Sequence, residues 1–525
     1  MIKKLFLIVI LALPILPEFA SAGSDVYFIT QDGAGMHNGS STSNAWSVAD
    51  FNNAANWSSY DNTTKIDPGD TVYFLGDITS RVKPAGSGNS SSGYITLDGY
   101  KDGDCNPLSD ACPSSAILHG GLWIDSRDYI TVQDFTGTGG PTDLSFLAIY
   151  SSSSRPSNHI QILRNNIYNT NGNMFGVAGV SDPNRADNIT ITGNKMVGFG
   201  KKIDAAQGFN IYNASNIVIK NNIIGHEGTT VCTSANVIEV HQSQYILFDG
   251  NEIYGAPQQA GIFIKEYGAQ DIIIRANNIH NNGTEWEGRG IGCGWASTQN
   301  IYIYNNSIYD NGAMGLDIAD GAHNIFVWSN NISSHKRAGI VLWWVGGRAP
   351  GDPHLYNINI YNNFFTNNAT SAVGYENISW TGLAITDWGA SNISVKNNMF
   401  STNRDRASLK YQIYVNPGLS GSVSLEHNQY FSMDQTSAIV YYLDNLYDLS
   451  ALQSFGLEDD YPTGFISDQS GTTLSSQFSG SPGSVTIQGQ TYVMSYSDSL
   501  NSTSASTSSS SPIAPNKPTG LRVIP

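Results

Sequence analysis

Four titratable side chains carry most of the chemistry this sequence offers. Glu239, His241, Lys265 and Asp317 fall in the short segments VIEVHQ, GIFIKE and GLDIAD, where they or their neighbours alternate with Ile, Val or Leu. Alternation with period two marks a strand with one buried face, so all four side chains project from the opposite face. On neighbouring parallel strands His241 and Lys265 would stand about 5 Å apart with Glu239 beside them. Adjacent cations lower one another's proton affinity, which suits His241 or Lys265 to remove a proton next to a carboxylate near pH 7, the opening step of a β-elimination. Hydrolysis of a glycosidic bond needs two carboxyl groups roughly 5 to 9.5 Å apart. Glu239 and Asp317 lie three strands apart, about 14 Å, whereas Glu266 and Asp317 are about 10 Å apart before side-chain reach and keep an inverting hydrolysis open.

The elements that would position these residues repeat along the chain. From Asn158 to Tyr430 one pattern returns, apolar-x-apolar-x-x-Asn-x-apolar, as in ITITGNKM, IVIKNNII, IIIRANNI and ISVKNNMF. Its sixth position is Asn165, Asn194, Asn222, Asn251, Asn277, Asn306, Asn330, Asn363, Asn398 and Asn428. One such strand per 24 to 35 residues, followed after a turn and a loop by further short apolar strands, predicts an all-β solenoid of three-strand coils, about eleven of them. Asn suits the corner because it tolerates a left-handed turn and its amide can bond the Asn of the next coil.

The candidate residues belong to the strand that follows the corner and a variable loop. Its outward positions run from Ala148/Tyr150 to Tyr414/Asn416, and among them only Glu239, His241, Lys265 and Asp317 titrate, all in four consecutive coils. Such confinement in a neutral face is what a catalytic site needs. Glu266, Trp295, Asp320 and Trp344 stand at the strand exits and Trp343 faces outward, with the tryptophans placed to stack on sugar rings. Preceding loops add His226, Glu227, Glu285, Glu287, Arg289, His335, Lys336 and Arg337, while Gly292 and Gly294 would leave a bare floor for a flat ring. Arg289, or a carboxylate-bound Ca²⁺, would neutralise the acid group of a substrate. A second outward column, with Tyr304, Trp328 and Tyr361 in successive coils, is either a glycan-binding strip or an aromatic ladder packed under a loop. Asp98, Asp102, Asp104 and Asp110 offer carboxylates without the EF-hand spacing.

These repeats resemble the parallel β-helix of the pectate-lyase-like superfamily over residues 118–445. The resemblance implies a right-handed helix entered through residues 23–117, which include VYFITQDGAGMHNG and DPGDTVYFLGD, and closed by a cap over 446–500 ahead of a Ser/Thr/Pro-rich tail at 501–525. Enzymes of that superfamily are mostly polysaccharide lyases, glycoside hydrolases and epimerases. The resemblance therefore implies a carbohydrate-active protein: a lyase, a hydrolase, or a non-catalytic glycan-binding surface protein. The Asp, Asp-Asp, Gly-His-Gly and Arg-x-Lys set of polygalacturonase-type hydrolases is missing. The Lys and Arg-His pair of one alginate and chondroitin lyase family is half present, because the coil after Lys265 carries glycines.

The first residues, MIKKLFLIVILALPILPEFASA, read as a signal peptide cut after Ala22, so the mature chain is expected outside the cell. No later stretch approaches the ~20 apolar residues of a membrane helix. A net charge of -17 with only 13% charged residues disfavours nucleic acid and anionic membranes as partners and leaves a polysaccharide, bound by a monomer. Cys105 and Cys112 bracket a loop they can close by a disulfide, and Cys293 falls at an inward position, as a buried apolar residue would.

Overall fold

The structure is a computed structural model. It describes residues 24–99, 116–142, 145–180, 182–227, 231–265, 268–294, 298–344, 353–370, 381–401, 412–416, 419, 422–426, 428–431, 440–442, 445–447 and 481–496. The segment read as a signal peptide, Asp102, Asp104, Asp110, Cys105, Cys112, Glu266, Trp295 and the tail at 501–525 lie outside the described residues. About half of the described residues are in strands, joined by turns and loops, and the one α-helix among them is the short Val48–Phe51. One coil shows the plan: Gln244–Asp249, a corner, the short strand Glu252–Tyr254, a loop, then Ala260–Lys265. Equivalent strands of successive coils pair in parallel, building sheet I of fifteen strands and sheets II and III of thirteen each.

Inside, like residues stack on like. Ile217, Ile246, Ile272, Ile301, Ile325 and Ile358 form one column of sheet I and none is exposed. At roughly 2 kcal/mol for each fully buried isoleucine, such columns supply the bulk of the cohesion between coils. Cys293 takes its expected inward place between Ile264 and Ile318, and burial followed by the charge of Asp317 pushes its thiol well above the usual range.

The ten asparagines form one continuous buried ladder. From Asn194 onward each Oδ1 accepts from both the backbone N–H and the Nδ2 of the preceding coil's asparagine, and Asn165 Oδ1 accepts from the Phe135 N–H. For Asn277 to Asn306 these bonds are 2.9 and 3.0 Å, and Asn277 Nδ2 also donates to the carbonyl of Phe248 at 3.1 Å. The chain of amides runs unbroken from Asn165 to Asn428. The left-handed conformation, however, belongs to the residue before each ladder asparagine from Asn165 to Asn398: Arg164, Gly193, Asn221, Gly250, Ala276, Asn305, Ser329, Asn362 and Asn397 all have positive φ. Asparagine at the ladder position is therefore selected by its amide, and the turn is made one residue earlier.

A second buried ladder follows sheet II, through Asn282, Asn311 and Asn368. His335 replaces asparagine in it, with Nδ1 accepting from the N–H of Asn311 at 3.2 Å. It is a core residue and does not join the groove, contrary to expectation. Burial drops its pKa to about 3, so the ring is neutral in the folded protein.

Both ends differ from the sequence reading. Val26–Thr30 and Thr71–Phe74 pair in sheet I, and Thr71–Phe74 continues through Ile95–Asp98 to Asp128–Gln133. The solenoid thus begins inside the region expected to be its entry. The asparagine register cannot show this, because Phe135 fills the corner after Asp128–Gln133 and packs edge-on to Phe74. At the other end, Asn445–Tyr447 turns back antiparallel on Val440–Tyr442 in sheet III, and the rest of the described part of the expected cap, residues 481–496, forms the hairpin of Gly483–Ile487 and Gln490–Met494, which lies along the outside of sheet I. Val485, Ile487, Met494 and Tyr496 bury Tyr304, Trp328 and Tyr361, and Trp328 Nε1 donates to the carbonyl of Ser495 at 3.0 Å. The aromatic strip is a packed ladder under this hairpin and has no open face for a glycan.

Replacing Asn277 by Leu leaves the Asn251 N–H buried without an acceptor and strips one of the two acceptors from its Nδ2, which keeps the Ile219 carbonyl, so stability should fall by about 3 kcal/mol in denaturant titrations. His335→Asn should fit the ladder and change the acid limb. An unfolded histidine takes a proton below about pH 6.5 while the buried ring does so only near pH 3, so wild-type stability declines as pH falls between those values. The Asn variant should lose that slope, and melting temperatures across pH 7 to 4 would show it.

Candidate functional site

Sheet III turns its outer face to the candidate residues in the register expected of them. One column runs Asn210, Glu239, Phe263, Gly292, Asp317, Val341 and Ala384, and beside it run Tyr212, His241, Lys265 and Gly294. Parallel pairing places these residues because their flanking Ile and Val side chains fill the core, and a slip of one residue would bury the charges.

Glu239 is at the centre of a three-residue group. Its Oε1 receives an ion-paired hydrogen bond from Lys265 Nζ and lies 3.3 Å from His241 Nε2. Burial by itself would raise its pKa, but the hydrogen bonds and charges of His241 and Lys265 outweigh it and hold the carboxyl below its usual range. Three coils on, Asp317 accepts from Arg289 Nε and, at 2.5 Å, from Trp343 Nε1. The two carboxylates are both buried, each already held by a cation, and about 14 Å apart by coil spacing.

Phe263 links the halves. Lys265 Nζ and Arg289 Cζ lie 5.4 and 5.6 Å from its ring centroid. A Cβ added to Gly292 would come within 2.6 Å of Phe263 Cδ2, so this ring occupies the space above the glycine. The bare floor expected at Gly292 and Gly294 is therefore absent: Phe263 covers the first, and Ala319 packs over the second. The resulting row is His241, Glu239, Lys265, Phe263, Arg289, Asp317 and Trp343, with cations and carboxylates neutralising one another along it.

Next to His241 the face opens into a pocket of about 240 Å³ lined by Ser145, Tyr150, Asn173, Gly176, Asn210 and Tyr212 among others. Its polar groups are hydroxyls and amides, and the Tyr212 ring lies 6.0 Å from that of His241. The sequence contained these residues but gave no reason to single them out, because none is a carboxylate, histidine, lysine or arginine.

The remaining candidates scatter. Trp343 is committed to Asp317 through its indole N–H, and Asp320 is buried at the strand exit. Lys336 pairs with Glu285 at 2.6 Å, Arg337 lies 4.7 Å from the centre of the Trp286 ring, and Tyr254 donates to Glu227. Burial lowers the His226 pKa, and its ring packs edge-on to Phe199. Trp344 joins two residues the sequence reading passed over, His354 and Trp388, at the strand exits. Among the described residues no group of three or more His, Cys, Asp or Glu side chains is arranged to hold a metal ion.

A family model described as a right-handed beta helix region matches residues 202–349, the coils that carry Glu239 to Trp343. Solved structures with similar coordinates include the A-module of a mannuronan C-5 epimerase from Azotobacter vinelandii, at 17% identity, covering 73% of this chain and 88% of that one with a TM-score of 0.38. An alginate lyase from Paenibacillus sp. str. FPU-7 gives 16%, 56%, 93% and 0.38 for the same measures. A GH136 lacto-N-biosidase from Eubacterium ramulus gives 12%, 66%, 64% and 0.43. No curated protein matches the sequence.

Removing the Glu239 carboxylate by Glu239→Ala leaves Lys265 and His241 without their shared counter-charge and should cost about 3 kcal/mol. Because its folded pKa is below the unfolded value, that contribution is present above about pH 5 and is lost as pH falls through the lowered pKa. Urea midpoints of both proteins at pH 7 and pH 3 should therefore converge at the acid end.

Proposed function

We propose that this right-handed parallel β-helix protein is secreted and cleaves an acidic polysaccharide by β-elimination on the outer face of sheet III. The observation that carries the reading is the group formed by Glu239, His241 and Lys265 at the edge of a neutral, hydroxyl-rich pocket. Lys265 donates to a carboxylate and so stands as a cation, suited to meet the acid group of a uronate ring. His241, oriented by Glu239, removes the C5 proton. The electron pair forms the C4–C5 double bond as the C4–O bond breaks, and a hydroxyl such as that of Tyr212 returns a proton to the leaving oxygen. Arg289 offers a second positive charge beyond Phe263. A Ca²⁺ ion is not required by this scheme, since cations of the chain occupy the neutralising positions. Hydrolysis by Glu239 with Asp317 is disfavoured by their separation and by the cations already bound to both.

Purified protein offered uronic-acid polymers should release products with the ultraviolet absorbance of an unsaturated uronate. His241→Ala should lower turnover at least about 100-fold, while Lys265→Arg should keep more activity than Lys265→Ala, since a cation is what that position supplies. Reducing ends without ultraviolet product, or an active His241→Ala enzyme, would discard the scheme.

A further inference from the structure

At the edge where successive coils leave sheet III, three rings gather around one buried carboxylate. Trp344 follows the strand Ala338–Trp343, Trp388 follows Leu383–Ile385 one coil later, and His354 precedes Tyr356–Tyr361 of sheet I. Asp387 is fully buried. Its Oδ1 lies 2.5 Å from His354 Nδ1 and accepts from the Gly389 N–H at 3.0 Å, and its Oδ2 accepts from the Leu355 N–H at 2.8 Å. His354, fixed in this way, meets Trp388 at 4.4 Å and 71°, and Trp344 meets it at 5.6 Å and 87°. Gly389 makes room for the arrangement, because a Cβ there would fall 2.3 Å from the His354 ring.

Trp388 is nonetheless 57% exposed. Both neighbours stand nearly perpendicular to it, and among the described residues no ring lies parallel on the indole. Single exposed hydrophobic side chains are ordinary, but this indole is held in a fixed orientation by His354 and Trp344, which spares a flat ligand the cost of ordering it. We propose that Trp388 is a sugar-stacking platform, a distal subsite for one ring of a polysaccharide chain whose cleaved bond lies at His241 and Lys265. The inference rests on the reading of sheet III as a polysaccharide groove. Its ligand class follows from the surroundings. The indole offers a flat apolar face for sugar C–H groups, and the outward positions leading to it, Gly294, Ala319, Trp343 and Thr386, carry no net charge. From the Lys265 coil to the Trp388 coil there are four steps of about 4.8 Å, so the platform and the reacting bond engage one chain only when several sugar rings span them. His354 and Asp387 are positioning residues that fix the indole.

Electrophoresis of the full chain through gels containing alginate, polygalacturonate or xylan tests the platform without relying on catalysis. The wild type should be retarded by at least one of them. Trp388→Ala should bind that polymer about tenfold more weakly, the equivalent of losing one covered indole face, with the fold retained in the far-ultraviolet spectrum because the ring lies outside the stacked core. Trp388→Phe should recover part of the binding. His354→Ala should weaken binding while also altering the near-ultraviolet dichroism of the paired indoles, with the far-ultraviolet spectrum unchanged. If no gel retards the wild type, or Trp388→Ala is retarded equally, the platform is wrong. If Trp388→Ala loses binding but the wild type forms no unsaturated product from the bound polymer, the platform stands and the elimination scheme falls.

Discussion

The asparagine ladder is the constraint on which the remaining structure depends. A sharp corner at the end of a strand leaves backbone N–H and C=O groups turned into the core, where each unmade hydrogen bond costs about 1 to 3 kcal/mol. Here the corner amide of each coil between Asn194 and Asn398 satisfies its neighbour on one side and is satisfied from the other. Because the ladder spacing equals the strand spacing, the corner locks the axial register of all three sheets at once. Length then varies in the loops that leave sheets II and III, where the residues around the candidate site arise, while the corner between sheets I and II keeps two residues from Asp128–Gln133 through Val423–Glu426.

That division explains what was legible. Period-two alternation identified the strands, and the repeated Asn identified the corner, so the outward columns of sheet III could be written down before any coordinates. Glu239, His241 and Lys265 meet because register alone determines their adjacency. The outward face of Trp328 was equally legible, but its cover was not, since the hairpin that buries it comes from residues 481–496 and follows no repeat. The first coils were missed for a related reason: Phe135 meets the demands of its corner by packing and leaves no asparagine to read.

Side-chain direction accounts for the other differences. Spacing placed Gly292 on the outer face but could not show Phe263 leaning across it from the neighbouring coil. Nor could it show Asp317 receiving both Arg289 and Trp343, which ties up a tryptophan that alternation had marked as open for stacking. Loop residues such as His335 and His354 lie beyond any periodic argument, because one loop tucks its histidine into a ladder and the other sets it against Asp387.

The hairpin on sheet I alters how such a solenoid holds together. A stack in which each coil touches only the next behaves as a one-dimensional array that can fray from either end or open in the middle. Gln488 reaches the carbonyls of Ile189 and Asn216, while the carbonyl of Tyr496 takes a hydrogen bond from Asn362. A segment from near the C-terminus thus lies across every coil from Ala186–Thr192 to Tyr356–Tyr361, like a splint along a column of discs. Those coils, which include the ones that bear Glu239 through Trp343, gain cooperativity from a long-range contact that the repeat by itself cannot provide.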